Sequence, residues 1–205
     1  MSTLETNLIQ PSTGTALTVG ASGDTITVPS GATFNVAGTL QSGGSAITQG
    51  ITMADQWRVT SATSFGSSVA DITANFEQID TTGQGTIGTA MSESSGIFTF
   101  PQTGIYSVTA IISAYRSGDA RYVNLLIKGT TNNSSYSTFA QSYGSIEQAE
   151  SNSTYTNVIT STFVDVTDTS NVKVKFSIRA TQDCYFKGSS SDNENSFTFI
   201  RLGDT

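Results

Sequence analysis

Over residues 98–114 the even positions Phe98, Phe100, Tyr106, Val108, Ala110, Ile112 and Ala114 are all apolar or aromatic. A side-chain period of two belongs to a strand with one face buried, not to a helix. Pro101 and Gly104 place a turn inside this run, so a strand end, a turn and a second strand are expected within 96–108. The alternation returns at Val172, Val174, Phe176 and Ile178, with Lys173, Lys175, Ser177 and Arg179 on the other side. Further strands are predicted at 57–60, 75–79, 122–128, 137–142, 155–166, 184–187 and 196–202. Eight or more short strands without crossover helices predict an all-β antiparallel sandwich or jelly roll. The nearest helical candidate, 67–77, has Val69, Ile72 and Phe76 at helix-like spacing but is rich in poor helix formers.

The 205 residues suffice for one ordinary domain plus an extra segment. Hydrophobic residues make up 36% of the chain and charged residues only 12%, with a net charge of -7. Nucleic-acid binding is not expected, because neutralising phosphates takes clustered Lys and Arg, and the nine present are scattered after Trp57. No apolar run approaches the roughly 20 residues of a membrane-spanning helix. Residues 1–5 carry no basic region followed by an apolar one, so no Sec-type signal is expected.

Residues 1–53 contain two acids, Glu5 and Asp24, and no Lys or Arg. Three short units can be overlaid there, at 17–19, 26–28 and 34–36, each a three-residue alternation closed by Gly or Pro. A single such unit cannot offset its own ordering entropy, so copies are expected to stack along the chain or against neighbouring chains. The predicted organisation is therefore an N-terminal β-repeat stalk or anchor over 1–53 and a sandwich over 54–205. Leu8, Ile9 and Leu17 are its candidate docking plugs.

The chain contains no histidine, which removes Ser-His, Cys-His and His-metal chemistry. The loop around Gly83, Gly85 and Gly88 lacks the Lys and helix start of a phosphate cradle. Cys184 is alone and reads as a packed, inert thiol. The carboxylate pairs Asp165 with Asp168 and Asp192 with Glu194 read as solvated turns, not as an acid and base. No enzyme activity, catalytic residue or cofactor is expected. Calcium is the one ion that the predicted loops could hold, through Asp119, Asp183, Asp192 and Glu194.

Gly96, Phe98, Pro101, Gly104 and Tyr106 match in spacing the hairpin motif of the jelly-roll superfamily that includes tumour necrosis factor and the complement globular heads. The chain resembles that superfamily over about 57–202. Residues 122–129 are similar to its strand ending in a Lys-Asn-Gly-type turn, and 168–174 to its Gly-Asp turn before a Val-rich strand, though here the Gly is absent. Residues 196–202 are similar to the closing strand, where members often carry Gly in place of Phe199. The resemblance implies a homotrimer with the closing strand near the three-fold axis, and makes Phe199, Ile200 and Leu202 interface candidates. Independently, this strand has Phe197 and Phe199 on one side and Ile200 and Leu202 on the other, so it needs covering twice.

The 1–53 region is similar in style to the shafts and anchors of virus fibres and of trimeric virion proteins in tailed bacteriophages. Together these features predict a non-enzymatic structural virion protein, made in the host cytoplasm. It would be a homotrimeric capsid decoration, head-fibre or short tail-fibre protein held to capsid or tail. Its outward head would contact a host-surface glycan through loops bearing Tyr136, Tyr143 and Tyr155. The alternative is a carbohydrate- or protein-binding complement-like module of cellular origin.

Overall fold

A computed structural model of the chain describes residues 14–15, 18–42, 45–47 and 50–205. The docking candidates Leu8, Ile9 and Leu17 lie outside the described residues. The chain divides into two compact units, Met1–Ile47 and Thr48–Thr205.

In the first unit the Gly and Pro spacers form turns, as their chemistry requires. Asp24 N donates to Ala21 O at 3.0 Å and Ala32 N to Pro29 O at 3.0 Å, with Gly23 and Gly31 at positive φ. Strand β1 (Gln41–Ser42) pairs antiparallel with β2 (Ser45–Ala46). Among the described residues the repeat units at 26–28 and 34–36 join no ladder. Val19, Ile26, Val28, Phe34 and Val36 are all exposed.

The second unit is all-β. Its strands are β3 (Ala54–Val59), β4 (Thr63–Phe65), β5 (Ala70–Asp71), β6 (Phe76–Gln78), β7 (Ser92–Ser94), β8 (Ile97–Thr99) and β9 (Gly104–Arg116), followed by β10 (Ala120–Thr130), β11 (Ser137–Ile146), β12 (Thr154–Val166), β13 (Lys173–Ala180), β14 (Cys184–Phe186) and β15 (Ser196–Gly203). Every strand pairing is antiparallel. One sheet runs β11-β10-β13-β8-β7 with β5 on β13; the other runs β4-β14-β9-β15-β3-β6 with β12 on β9. Stacked face to face, they form a jelly-roll sandwich.

The alternation in 98–114 is borne out residue by residue, with Tyr106, Val108, Ala110, Ile112 and Ala114 fully buried on β9. Phe98 lies at the centre of the core, its ring centroid 5.4 Å from that of Trp57, 5.0 Å from Phe76, 5.5 Å from Phe176 and 5.1 Å from Phe199. Offset and edge-on aromatic pairs of this kind add attraction beyond the area they bury.

Three expectations are corrected. Residues 96–108 are not a hairpin, because β8 pairs with β7 and β13 in one sheet while β9 belongs to the other. The Pro101–Gly104 turn is an arch that carries the chain across the core. The tight hairpin is β7-β8, closed by Ser95 (φ 53) and Gly96 (φ 82), the left-handed pair that suits the twist of a two-residue connection. The helical candidate at 67–77 instead supplies β5 and β6, with Asn75 at φ 65 between them. Finally, β11 continues to Ile146, so much of the predicted loop bearing Tyr143 is strand.

Candidate functional site

The five motif residues serve the fold. Gly104 has φ +141, and a Cβ there would lie 2.5 Å from Arg201 Nε and 2.5 Å from Gly203 O. Tyr106, fully buried, donates its hydroxyl to Gln102 O at 2.9 Å and so ties the arch to the strand that follows it. A Cβ on Gly96 would collide with Ile72 O, so the hairpin can lie against the chain there only with glycine. Pro101 is half-buried and presets the arch backbone.

Phe199 was expected at a subunit interface and is instead fully buried among Phe98, Phe100 and Phe176, in the chain's own core. It therefore offers no surface to a neighbour. Ile200 is half-buried on the opposite side of the same strand, across from Ser107, and Leu202 is 55% exposed at the bulge between Arg201 and Gly203.

That side belongs to a wider apolar face. Strand β12 pairs with β9 along its whole length, setting Ile159 opposite Ile111, Phe163 opposite Ser107 and Tyr155 opposite Tyr115. Tyr185 of β14 lies across from Tyr115 on its other side. Ring centroids are 5.4 Å apart for Tyr115–Tyr155 and 5.5 Å for Tyr115–Tyr185, making a row of three tyrosines across three strands. Ile159 and Phe163 are 56% and 72% exposed. The sequence carries their signal, since both fall out of phase with the buried Val158, Val164 and Val166.

The outward face of the six-stranded sheet is different in kind. Lys173, Lys175, Ser177 and Arg179 alternate with the buried Val172, Val174, Phe176 and Ile178, as the sequence predicts. Lys128 lies opposite Lys175, and Asn124 opposite Arg179. Asp71 accepts from Lys175 Nζ at 2.6 Å, Lys128 Nζ at 3.3 Å and Ser177 Oγ at 2.5 Å. Desolvation of the Asp71 carboxyl would raise its pKa, but the bonds from Lys175 and Ser177 and the two lysine charges outweigh it and hold the group below its ordinary value. Tyr136 is half-buried, with Lys175 Nζ 4.2 Å from its ring centroid, and burial pushes its hydroxyl pKa up. Tyr143 is 53% exposed and accepts from Arg179 Nη2 at 3.4 Å. Tyr143 and Tyr155 thus stand on different sheets, and the three receptor candidates form no single site.

The acidic loop residues are not gathered. Glu194 is paired with Lys187 at 2.5 Å, Asp119 accepts from Gln148 N at 2.7 Å, and Asp192 and Asp183 sit in separate turns. Among the described residues no three His, Cys, Asp or Glu side chains come together around one point. Asp168 caps its own turn, accepting from Ser170 N at 2.7 Å and Asn171 Nδ2 at 2.7 Å, and the Ser170 backbone bond leads in holding its carboxyl pKa down. No residue of that turn is at positive φ, so it closes without a glycine. Cys184 is fully buried, and desolvation raises its thiol pKa.

No family model matches the chain, and no curated protein matches its sequence. Among solved structures, Eiger TNF from S. frugiperda is similar with TM-score 0.56 at 13% identity, over 76% of this chain and 95% of that one. Murine APRIL, in a crystal structure at pH 5.0, is similar with TM-score 0.52 at 12% identity, over 73% of this chain and 98% of that one. The globular domain of zebrafish complement 1qA aligns over 75% of this chain at 14% identity with TM-score 0.45. At these identities the likeness is one of fold, and the fold is TNF-like.

Proposed function

We propose that this chain is a non-enzymatic structural protein that works as a homotrimer, its TNF-like heads joined through the outward face of the β9-β12-β15 sheet. The observation that carries the reading is the exposure of Ile159 (56%), Phe163 (72%) and Leu202 (55%) on a sheet whose inner face already closes the core. An apolar sheet face of this kind, left uncovered in one copy, favours association. Ile105, Ile111 and Ile200 lie half-buried on the same side and extend it. The TNF-like fold supports a three-fold arrangement because the superfamily that the sequence resembles assembles in that way.

The particle context rests on the 1–53 region. Its Gly- and Pro-spaced units, with Val19, Ile26, Val28, Phe34 and Val36 exposed in the single chain, suit a stalk completed by equivalent copies. We assign the protein to the virion of a tailed bacteriophage, as a capsid decoration, head fibre or short tail fibre with the stalk toward the particle. Native mass measurement of the full chain at high dilution is expected to return the mass of three copies. Folded single chains would overturn the assembly. Mass spectrometry of purified particles is expected to find the chain in stoichiometric amounts, and its absence there would overturn the virion assignment.

A further inference from the structure

Charge on this molecule is segregated by face. The chain carries nine Lys and Arg and a net charge of -7. Four of the nine, Lys128, Lys173, Lys175 and Arg179, stand on the outward side of the adjacent strands β10 and β13. Among the described residues Asp71 is the one carboxylate bonded to them. The acids at the patch's ends are otherwise engaged, Asp168 in its own turn and Asp119 with Gln148 N. Lys173 Nζ meets only neutral oxygens, Thr99 Oγ1 at 3.0 Å and Thr169 O at 3.1 Å. Arg179 likewise bonds Asn124 Oδ1 at 3.1 Å and Tyr143 Oη, and its guanidinium lies 5.6 Å from the Tyr122 ring centroid.

We propose that this face binds a polysaccharide bearing carboxylate groups, with Arg179 and Lys173 taking the carboxylates and Tyr143 stacking on a sugar ring. The proposal rests on the reading above, in which the opposite sheet is buried between copies and this one faces outward. Three features select the ligand class. The patch is positive on a negatively charged chain, which favours an anion. Among the described residues, strands β8, β10, β11 and β13 expose no large aliphatic or phenylalanine side chain of the kind that Ile159 and Phe163 present on the opposite sheet, whereas the centre of a protein interface is apolar. Lys128 and Lys175 share Asp71, and the two cations bonded only to neutral oxygens, Lys173 and Arg179, are six residues apart and so about 20 Å along the strand. Nucleic acid carries a charge roughly every 1.7 Å and would run onto the acidic remainder. A chain of sugar rings bearing carboxylates can set two of them at that separation and offers a ring face to the exposed aromatic side chain.

The test uses the full chain with polygalacturonate oligomers, neutral dextran oligomers and a short DNA duplex, titrated by calorimetry at low and at raised salt. Binding to polygalacturonate alone, weakened by salt, is expected. Lys173→Gln with Arg179→Gln should weaken it about tenfold, the loss suited to two water-exposed charge-assisted contacts. Tyr143→Ala should weaken it with less salt dependence, and Lys187→Gln, on the other sheet, should leave it unchanged. Failure to bind polygalacturonate, equal binding to DNA, or undiminished binding by the double variant at unchanged thermal stability would overturn the proposal. Native mass of the same samples separates the two readings: a trimer that does not bind overturns this inference alone, and a folded monomer overturns the assembly.

Discussion

The Asp55 carboxylate accepts the Trp57 indole N–H at 2.8 Å inside the sandwich, where Asp55 is only 2% exposed. The same carboxylate accepts from Met91 N at 2.9 Å, Gln78 Nε2 at 3.0 Å and Gln56 N at 2.9 Å. It thereby ties β3 to β6 and to the segment leading into β7. A buried carboxylate is tolerated because its lone pairs are filled. Asp55→Ala would orphan several donors at once and is expected to cost about 3 kcal/mol, read from the midpoint of urea unfolding. An unchanged midpoint would mean that water replaces the carboxylate at no cost.

Phe199 and Phe163 should respond in opposite ways. Phe199→Ala opens a cavity among Phe98, Phe100 and Phe176 and is expected to cost about 3–5 kcal/mol of stability. Phe163→Asp, at a side chain 72% exposed in one copy, should leave the isolated head folded while shifting it toward single chains at dilution. Light scattering paired with circular dichroism reads both effects.

Gly104→Ala is expected to destabilise by more than about 1 kcal/mol, because φ +141 is closed to most side chains and Arg201 and Gly203 occupy the space a Cβ needs. Thermal unfolding checks it, and no change would show that the arch can rearrange.

Asp71 makes stability depend on acidity. Its folded pKa is depressed below the ordinary 3.8, so the unfolded chain binds the proton more readily. The Asp71 contribution is therefore fully present above pH about 4 and is lost as pH falls through the depressed folded value. Asp71→Asn should be less stable at neutral pH by about 1 kcal/mol and should show a flatter acid limb in stability measured from pH 6 to pH 2. Parallel acid limbs would place the proton uptake elsewhere.

Cys184 should resist thiol reagents in the folded protein and react once denaturant unfolds it, since its sulfur is buried and its pKa raised. Rapid native-state labelling would show that β14 opens locally.

Most strands were legible because a two-residue period is a local property. The alternations of β9 and β13 name their own buried faces, and the motif residues Gly96 and Gly104 announce turns by backbone chemistry alone. Strands β4, β5 and β7 were not legible, being two or three residues long with too few apolar positions to set a phase. The association face was only half legible. Ile200 and Leu202 were read from a strand apolar on both sides, while Ile159 and Phe163 were passed over within the long β12.

The sequence by itself determined that this chain is an antiparallel β sandwich without histidine chemistry, because strand periodicity and residue type are written locally. Only the tertiary structure decided that β8 and β9 belong to opposite sheets, that Phe199 faces its own core, and that Lys128 joins the three cations of β13 on one surface. Each of those depends on which distant strand supplies the hydrogen bonds, and such pairings are set by closure of the whole sandwich.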